Sequence, residues 1–167
     1  MENLDLTEFW QGKRVLVTGH TGFKGSWLCQ MLMMRGALVY GLALEPEGQK
    51  SLFAQLNLAE LINHVICDVT EIESVKNRIF EVAPDIIFHL AAQPLVRRSY
   101  QQPLRTWQTN VMGTSNILES LRNFKKSCAV IIVTTDKVYE SSTCQKTYVE
   151  SDRIGGQDPY SASNGCR

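Results

Sequence analysis

Apolar residues along the chain fall into short continuous runs that alternate with stretches of helical spacing. Arg14-Val15-Leu16-Val17-Thr18 is apolar through its centre with no polar alternation, as expected of a parallel strand buried on both faces. From Phe23 to Arg35 the positions Trp27, Leu28, Met31, Leu32 and Met34 step at helical intervals, and Gly36 supplies a stop. Ala37 to Leu44 reads as a second strand and His64 to Val69 as a third. Thr70-Glu71-Ile72-Glu73 has the form of a capping box, with Thr70 as cap and Glu73 reaching back. It opens a helix with Ile72, Val75, Ile79 and Val82 on one face, and Pro84 closes it. Asp85 to Ala91 predicts a fourth strand and Ala129 to Thr135 a fifth. Between them, Leu104, Trp107, Val111, Thr114, Leu118 and Leu121 mark one long helix. Asp158 caps a last helix, with Pro159 at its first position.

Strand and helix therefore alternate, which implies right-handed crossovers and a parallel sheet. The expected class is α/β, a Rossmann-type doubly wound sheet, incomplete at its C-terminal end, with residues 1–167 forming one domain. No internal repeat or low-complexity tract interrupts it. The loosest stretches are Glu45 to Ser51 and Glu140 to Gln157.

Composition narrows the function classes. Hydrophobic residues make up 44% and charged residues 20%, an ordinary globular balance. Lys plus Arg and Asp plus Glu number 17 each, so no basic field exists to attract nucleic acid or anionic lipid. The polar, acidic stretch Met1 to Gln11 leads into no apolar signal core, and no run is long enough to span a membrane. Five cysteines, Cys29, Cys67, Cys128, Cys144 and Cys166, are odd in number and form no CxxC pair, so reduced thiols in a cytoplasmic protein are expected, with no metal site.

The first strand runs directly into Thr18-Gly19-His20-Thr21-Gly22-Phe23-Lys24-Gly25, and the first helix follows. Gly19 suits the tight turn, Gly22 lets backbone approach a pyrophosphate, and Gly25 permits close packing of the helix. The helix N-terminus then offers free N–H groups to the phosphates. Gly19, Thr21, Gly22, Phe23, Lys24 and Gly25 are the loop's candidate cofactor residues. At the adenosine end, Glu45 closes the second strand and is either a ribose ligand or a solvated glutamate. Asp68, with Val69, ends the third strand, placed to meet the adenine amino group or to cap the turn before Thr70. Small residues in the string Leu90-Ala91-Ala92-Gln93, at the end of the fourth strand, let backbone pass close to the cofactor, and these four are further candidate cofactor residues.

Several strings, taken together, resemble the CDP-glucose 4,6-dehydratases of the extended short-chain dehydrogenase/reductase superfamily. They are VTGHTGFKGSWL from Val17 to Leu28, HLAAQPLVRRSY from His89 to Tyr100, TNVMGT from Thr109 to Thr114, and Thr135-Asp136-Lys137. The opening Phe9-Trp10-Gln11-Gly12-Lys13-Arg14 fits the same family. The resemblance spans nearly the whole chain and the N-terminal part of a family member. It implies NAD as cofactor, a nucleotide-sugar substrate (CDP-glucose) and a homo-oligomer at full length. The implied reaction moves hydride from sugar C4 to C6 with loss of water. It casts Tyr160 as acceptor of the C4 hydroxyl proton, with Thr135 bonded to the same oxygen. Asp136 becomes the acid at the C6 hydroxyl and Lys137 stands at the position of the C5 base. Asn110 joins the proton-relay network. Tyr139, Tyr148 and Trp107 read as packing residues.

The last segment departs from the family. Its motif would be Tyr-x-x-x-Lys, and here it is Tyr160-Ser161-Ala162-Ser163-Asn164. A nearby lysine favours a phenolate by its charge, and asparagine carries none. The expectation is a dinucleotide-binding piece that is inactive alone. The alternatives are a non-catalytic NAD-binding or subunit-interaction remnant, or a different nucleotide-sugar epimerase or reductase.

Overall fold

The computed structural model describes residues 6–48, 50–140 and 147–167; Cys144 and the first part of the Glu140–Gln157 loop, residues 141–146, lie outside the described residues. Strands β1 (Arg14–Thr18), β2 (Leu38–Ala43), β3 (Asn63–Ile66), β4 (Ile86–His89) and β5 (Ala129–Ile132) form one parallel sheet in the order β3-β2-β1-β4-β5. The helices are α1 (Leu6–Trp10), α2 (Phe23–Met34), α3 (Leu52–Gln55), α4 (Leu58–Leu61), α5 (Ile72–Val82), α6 (Val96–Gln101), α7 (Pro103–Trp107), α8 (Gly113–Leu121) and α9 (Pro159–Gly165). The expected α/β class and all five strands are present, each strand shorter by a few residues than its apolar run except β1.

Strand alternation sends neighbours to opposite faces. Val15, Val17, Val39 and Ile86 pack with Cys29, Leu32, Phe53 and Leu58 on one side. Leu16, Leu42 and Ile87 pack with Val75, Ile79, Val82 and Ile117 on the other. The chain leads outward from β1 to β2 and β3, then crosses back to β4, so the strand order reverses at β1 and β4. Ligands of open α/β sheets bind beyond the strand C-termini at such a reversal.

Three local expectations are corrected. The Thr70–Glu73 capping box does not form: α5 starts at Ile72 without a side-chain cap. The Thr70 hydroxyl and N–H both donate to Asp68 Oδ1, at 2.9 Å each, because a carboxylate outcompetes a neutral partner. The buried face of α2 is Gly25, Ser26, Cys29 and Leu32, while Trp27, Met31 and Met34 are exposed. That helix is apolar nearly all round, so close approach to the sheet selects its small residues. The single long helix is two, α7 and α8, joined by a π turn over Gln108–Met112. Thr106, Asn110, Gly113, Thr114, Asn116, Ile117 and Ser120 are buried there, with Leu104, Trp107 and Leu118 outside. The inserted turn rotates the polar side inward, and such turns gather at functional sites.

The loop after β5 is held at both ends. Tyr139 pairs with Ile154 in an antiparallel bridge and stacks on Tyr148 with ring centroids 4.8 Å apart. Both tyrosines pack, as expected.

Candidate cofactor cleft and catalytic cluster

The glycine turn begins where β1 ends. Gly19 has φ +73°, and a Cβ there would stand 2.8 Å from the Ala91 nitrogen. Its N–H donates to Leu42 O at 2.9 Å, which fastens the turn to β2. A Cβ on Gly25 would lie 2.2 Å from Gly19 O, so the first turn of α2 sits directly on the loop. Gly22 is the N-cap and makes no side-chain cap bond. Gly22, Phe23 and Lys24 are exposed. The first N–H groups of a helix have no intrahelical acceptor and carry partial positive charge, so this uncapped end fits a pyrophosphate. Thr21 is buried, and its hydroxyl donates to Leu44 O at 2.9 Å, tying the loop to the end of β2. Glu45 is exposed beyond it.

Asp68 caps the turn before α5 through Oδ1, and Oδ2 pairs with Arg105. Burial pushes the Asp68 carboxyl up, but the Thr70 N–H, Arg105 and the Thr70 hydroxyl together hold it below its usual value. Val69 is buried beside it, and its carbonyl accepts from Asn116 at 3.0 Å.

The end of β4 is knitted to β1. Leu90 N–H donates to Thr18 O at 3.2 Å and Ala91 N–H to Thr18 Oγ1 at 3.1 Å, leaving Leu90, Ala91 and Ala92 half-buried along the cleft. Gln93 is buried and its polar groups are engaged within the protein. Its N–H donates to Asn110 Oδ1 at 2.8 Å. Its side chain donates to Thr106 Oγ1 at 3.0 Å and to Leu95 O at 3.1 Å, and accepts from Leu95 N at 2.8 Å. Gln93 is thus a strut under the cleft.

Asn110 is fully buried on the π turn. Besides accepting from Gln93, its amide donates to Ser163 Oγ at 2.9 Å. Helix α9 also packs on α6, on α7 and on the 3₁₀ turn Asp136–Val138, so the structure brings Asn110, Tyr160 and the Thr135–Lys137 segment into one cluster. Asp158 caps α9 as expected, accepting from Ser161 N at 2.9 Å. Thr135 Oγ1 accepts from Lys137 N at 3.3 Å and donates to Asp136 Oδ1 at 3.1 Å. Tyr160 and Thr135 are half-buried, and Asp136 and Lys137 are exposed to water.

Asn164 is buried but turns back on its own helix, its amide donating to Tyr160 O at 2.9 Å. Arg167 projects from the same helix end. Its guanidinium donates to Ala91 O at 2.7 Å, Val133 O at 3.0 Å and Thr114 Oγ1 at 3.1 Å, all neutral acceptors. Burial pushes it down to about 10, against the influence of Tyr160.

Sequence reasoning missed Thr18, His89, Thr114 and Arg167. His89 is fully buried between Thr18 and Thr114, at 2.7 Å and 2.9 Å. The available signal was a histidine closing a strand just before the cleft, and a threonine four residues after Asn110. A second buried histidine, His20, lies in the glycine turn against Phe53 and His64, with ring centroids 5.3 Å and 5.2 Å away.

The profile of a family described as GDP-mannose 4,6 dehydratase matches residues 16–165. A CDP-glucose 4,6-dehydratase of Salmonella typhimurium is 49% identical over 158 residues, covering 95% of this chain and 44% of that protein. A CDP-paratose 2-epimerase of Salmonella typhi is 29% identical over 92% of this chain and 50% of its own length. Among solved structures, the Thermus thermophilus UDP-glucose 4-epimerase in complex with NAD superposes with a TM-score of 0.78 at 28% identity, over 90% of this chain and 47% of that one. The chain thus spans about half the length of these relatives.

Proposed function

The chain belongs to the nucleotide-sugar dehydratase family described as GDP-mannose 4,6 dehydratase, and from that premise we propose that it carries the NAD-binding part of a CDP-glucose 4,6-dehydratase. The observation that carries the reading is the uncapped N-terminus of α2, seated on the Gly19–Gly25 turn at the point where the strand order reverses. The 49% identity to a CDP-glucose enzyme favours the cytidine nucleotide over the guanosine and thymidine ones.

Gly22, Phe23 and Lys24 hold the pyrophosphate through backbone N–H groups, and Asp68 with Val69 takes the adenine edge. Leu90, Ala91 and Ala92 form the floor under the nicotinamide end. NAD, when bound, supplies reversible hydride acceptance. The remaining chemistry falls to side chains. Tyr160 holds the proton of the sugar C4 hydroxyl, and Thr135 bonds to the same oxygen. Asp136 delivers a proton to the C6 hydroxyl as it leaves, and Lys137 takes the C5 proton. Asn110 holds the tyrosine-bearing helix in place. Acid and base work of this kind needs water excluded from the groups that do it. Asp136 and Lys137 are exposed in this chain, and Asn164 brings no charge to Tyr160.

The reading separates into two measurements. Calorimetric titration of the purified chain is expected to detect NAD binding, and a flat titration would falsify the cofactor assignment. Incubation with CDP-glucose and NAD is expected to yield no 4-keto sugar from these 167 residues alone; its formation overturns the inactivity.

A further inference from the structure

The polar bonds around His89 fix where each proton lies. The Thr114 hydroxyl donates to Asn110 O over 2.7 Å, and a carbonyl can only accept. Thr114 Oγ1 therefore has no second proton for His89, and the 2.9 Å contact to His89 Nε2 is a donation from the ring. The neutral ring then leaves Nδ1 as an acceptor, and Thr18 Oγ1 donates to it over 2.7 Å. Thr18 Oγ1 in turn accepts the Ala91 N–H. The chain of bonds runs in one direction: Ala91 N–H to Thr18, Thr18 to His89, His89 to Thr114, Thr114 to Asn110 O. Arg167 Nε adds a second donor at Thr114. Each hydroxyl and ring proton in the chain has an acceptor, and Thr18, His89, Thr114 and Asn110 are all at most 2% exposed.

The two ends of this chain matter. Ala91 lies on the proposed cofactor floor. Asn110 binds Gln93 N–H and Ser163, and Ser163 lies on the helix that carries Tyr160. We propose that His89, as the neutral tautomer with its proton on Nε2, is a positioning residue that locks the Asn110 turn to the strand end carrying Ala91. The cofactor floor and the tyrosine-bearing helix are thereby held in one register. The significance of that register rests on the proposed function; the tautomer and the lock do not. A phenylalanine or leucine of similar bulk would fill the space but leave Thr18 and Thr114 without their partner. The site selects a ring that donates on one side and accepts on the other.

Nitrogen NMR of the imidazoles in the full chain at neutral pH tests the tautomer. The expected result is a His89 ring with unprotonated Nδ1 and protonated Nε2. The opposite tautomer, an averaged ring or an imidazolium overturns the proposal. Thr114→Val and Thr114→Ser test the lock by amide hydrogen exchange. In T114V the Gln93 amide is expected to exchange at least tenfold faster while the β2 and α5 amides keep their rates, and T114S is expected to restore it. Unchanged Gln93 exchange, or uniform acceleration of every amide, overturns the lock. If T114V does not fold, T114S and the tautomer still decide. NAD affinity measured on the same proteins is expected to fall in T114V and recover in T114S. If the wild-type chain binds no NAD, the proposed function fails while tautomer and exchange are still read.

Discussion

Asn110 and Ser163 are 53 residues apart and joined by a 2.9 Å hydrogen bond, both fully buried. This bond ties the π turn to the helix that bears Tyr160. Asn110→Ala removes the acceptor for Gln93 N–H and the donor to Ser163 together, leaving buried groups unpaired. The expected loss is about 1–3 kcal/mol of unfolding free energy. Ser163→Ala removes one partner only, and its cost in urea denaturation is expected to be the smaller of the two. Equal costs would mean that the Gln93 contact carries no weight.

The glycine turn separates folding from binding. Gly25→Ala forces a Cβ to 2.2 Å from Gly19 O and is expected to destabilise the fold by roughly 1–3 kcal/mol, with loss of NAD binding. Gly22→Ala meets the same oxygen only at 3.3 Å and lies at an exposed N-cap. Thermal unfolding of G22A should stay near the wild-type value. Its NAD affinity should nevertheless fall about tenfold or more, because a methyl group then stands between the helix end and the phosphates. A G22A protein that binds NAD normally would place the pyrophosphate elsewhere.

Acid should weaken the fold through two histidines. Burial, then His64, pushes His20 down to about 4, against its Leu42 backbone contact. Burial, then Arg167, pushes His89 down to about 3. The unfolded chain takes up both protons near pH 6.5, whereas the folded chain resists them to much lower pH. Their contribution to stability is therefore complete above about pH 6.5 and is lost as pH falls toward about 4 for His20 and about 3 for His89. The full effect is of the order of 3 kcal/mol for His20 and about 5 kcal/mol for His89. Urea denaturation at pH 8 and pH 5 checks the sign. Stability equal at the two values would mean that these rings are solvated.

What could be read from the sequence divides along a physical line. β1 to β5 and most of the face of α5 follow large apolar residues: Val75, Ile79 and Val82 are buried as their spacing predicts, while Ile72, in the first turn, is exposed. The glycine turn was legible because few side-chain-free patterns lead a strand into a helix. The inner faces of α2 and α7–α8 were not, because they bury Ser26, Thr106, Asn110 and Thr114 and leave Met34 and Leu104 outside. Hydrophobic periodicity reports what water rejects. It says nothing of small polar residues drawn inward by hydrogen bonds to one another. His89 escaped notice for the same reason: its partners Thr18 and Thr114 lie 71 and 25 residues away. Asp68 was legible as a turn residue, but Arg105, 37 residues on, was not.

The Asp68–Arg105 pair yields a prediction that distinguishes a turn cap from an adenine ligand. Oδ1 is committed to Thr70, and Oδ2 is held by Arg105, whose side chain is 43% exposed. A pair open to water on its arginine side contributes little to folding, about 0–1 kcal/mol. If the adenine amino group binds Asp68, it competes with Arg105 for Oδ2. Arg105→Ala should then leave thermal stability nearly unchanged and tighten NAD binding by up to about fivefold, the equivalent of a surface ion pair no longer broken on binding. Asp68→Ala should weaken NAD and also loosen the turn before α5. Calorimetry on both variants with adenosine diphosphate as a second ligand localises the effect to the adenosine end. Weaker NAD binding in R105A would instead make Arg105 itself a ligand, most simply of a phosphate, and would leave Asp68 with the structural role alone.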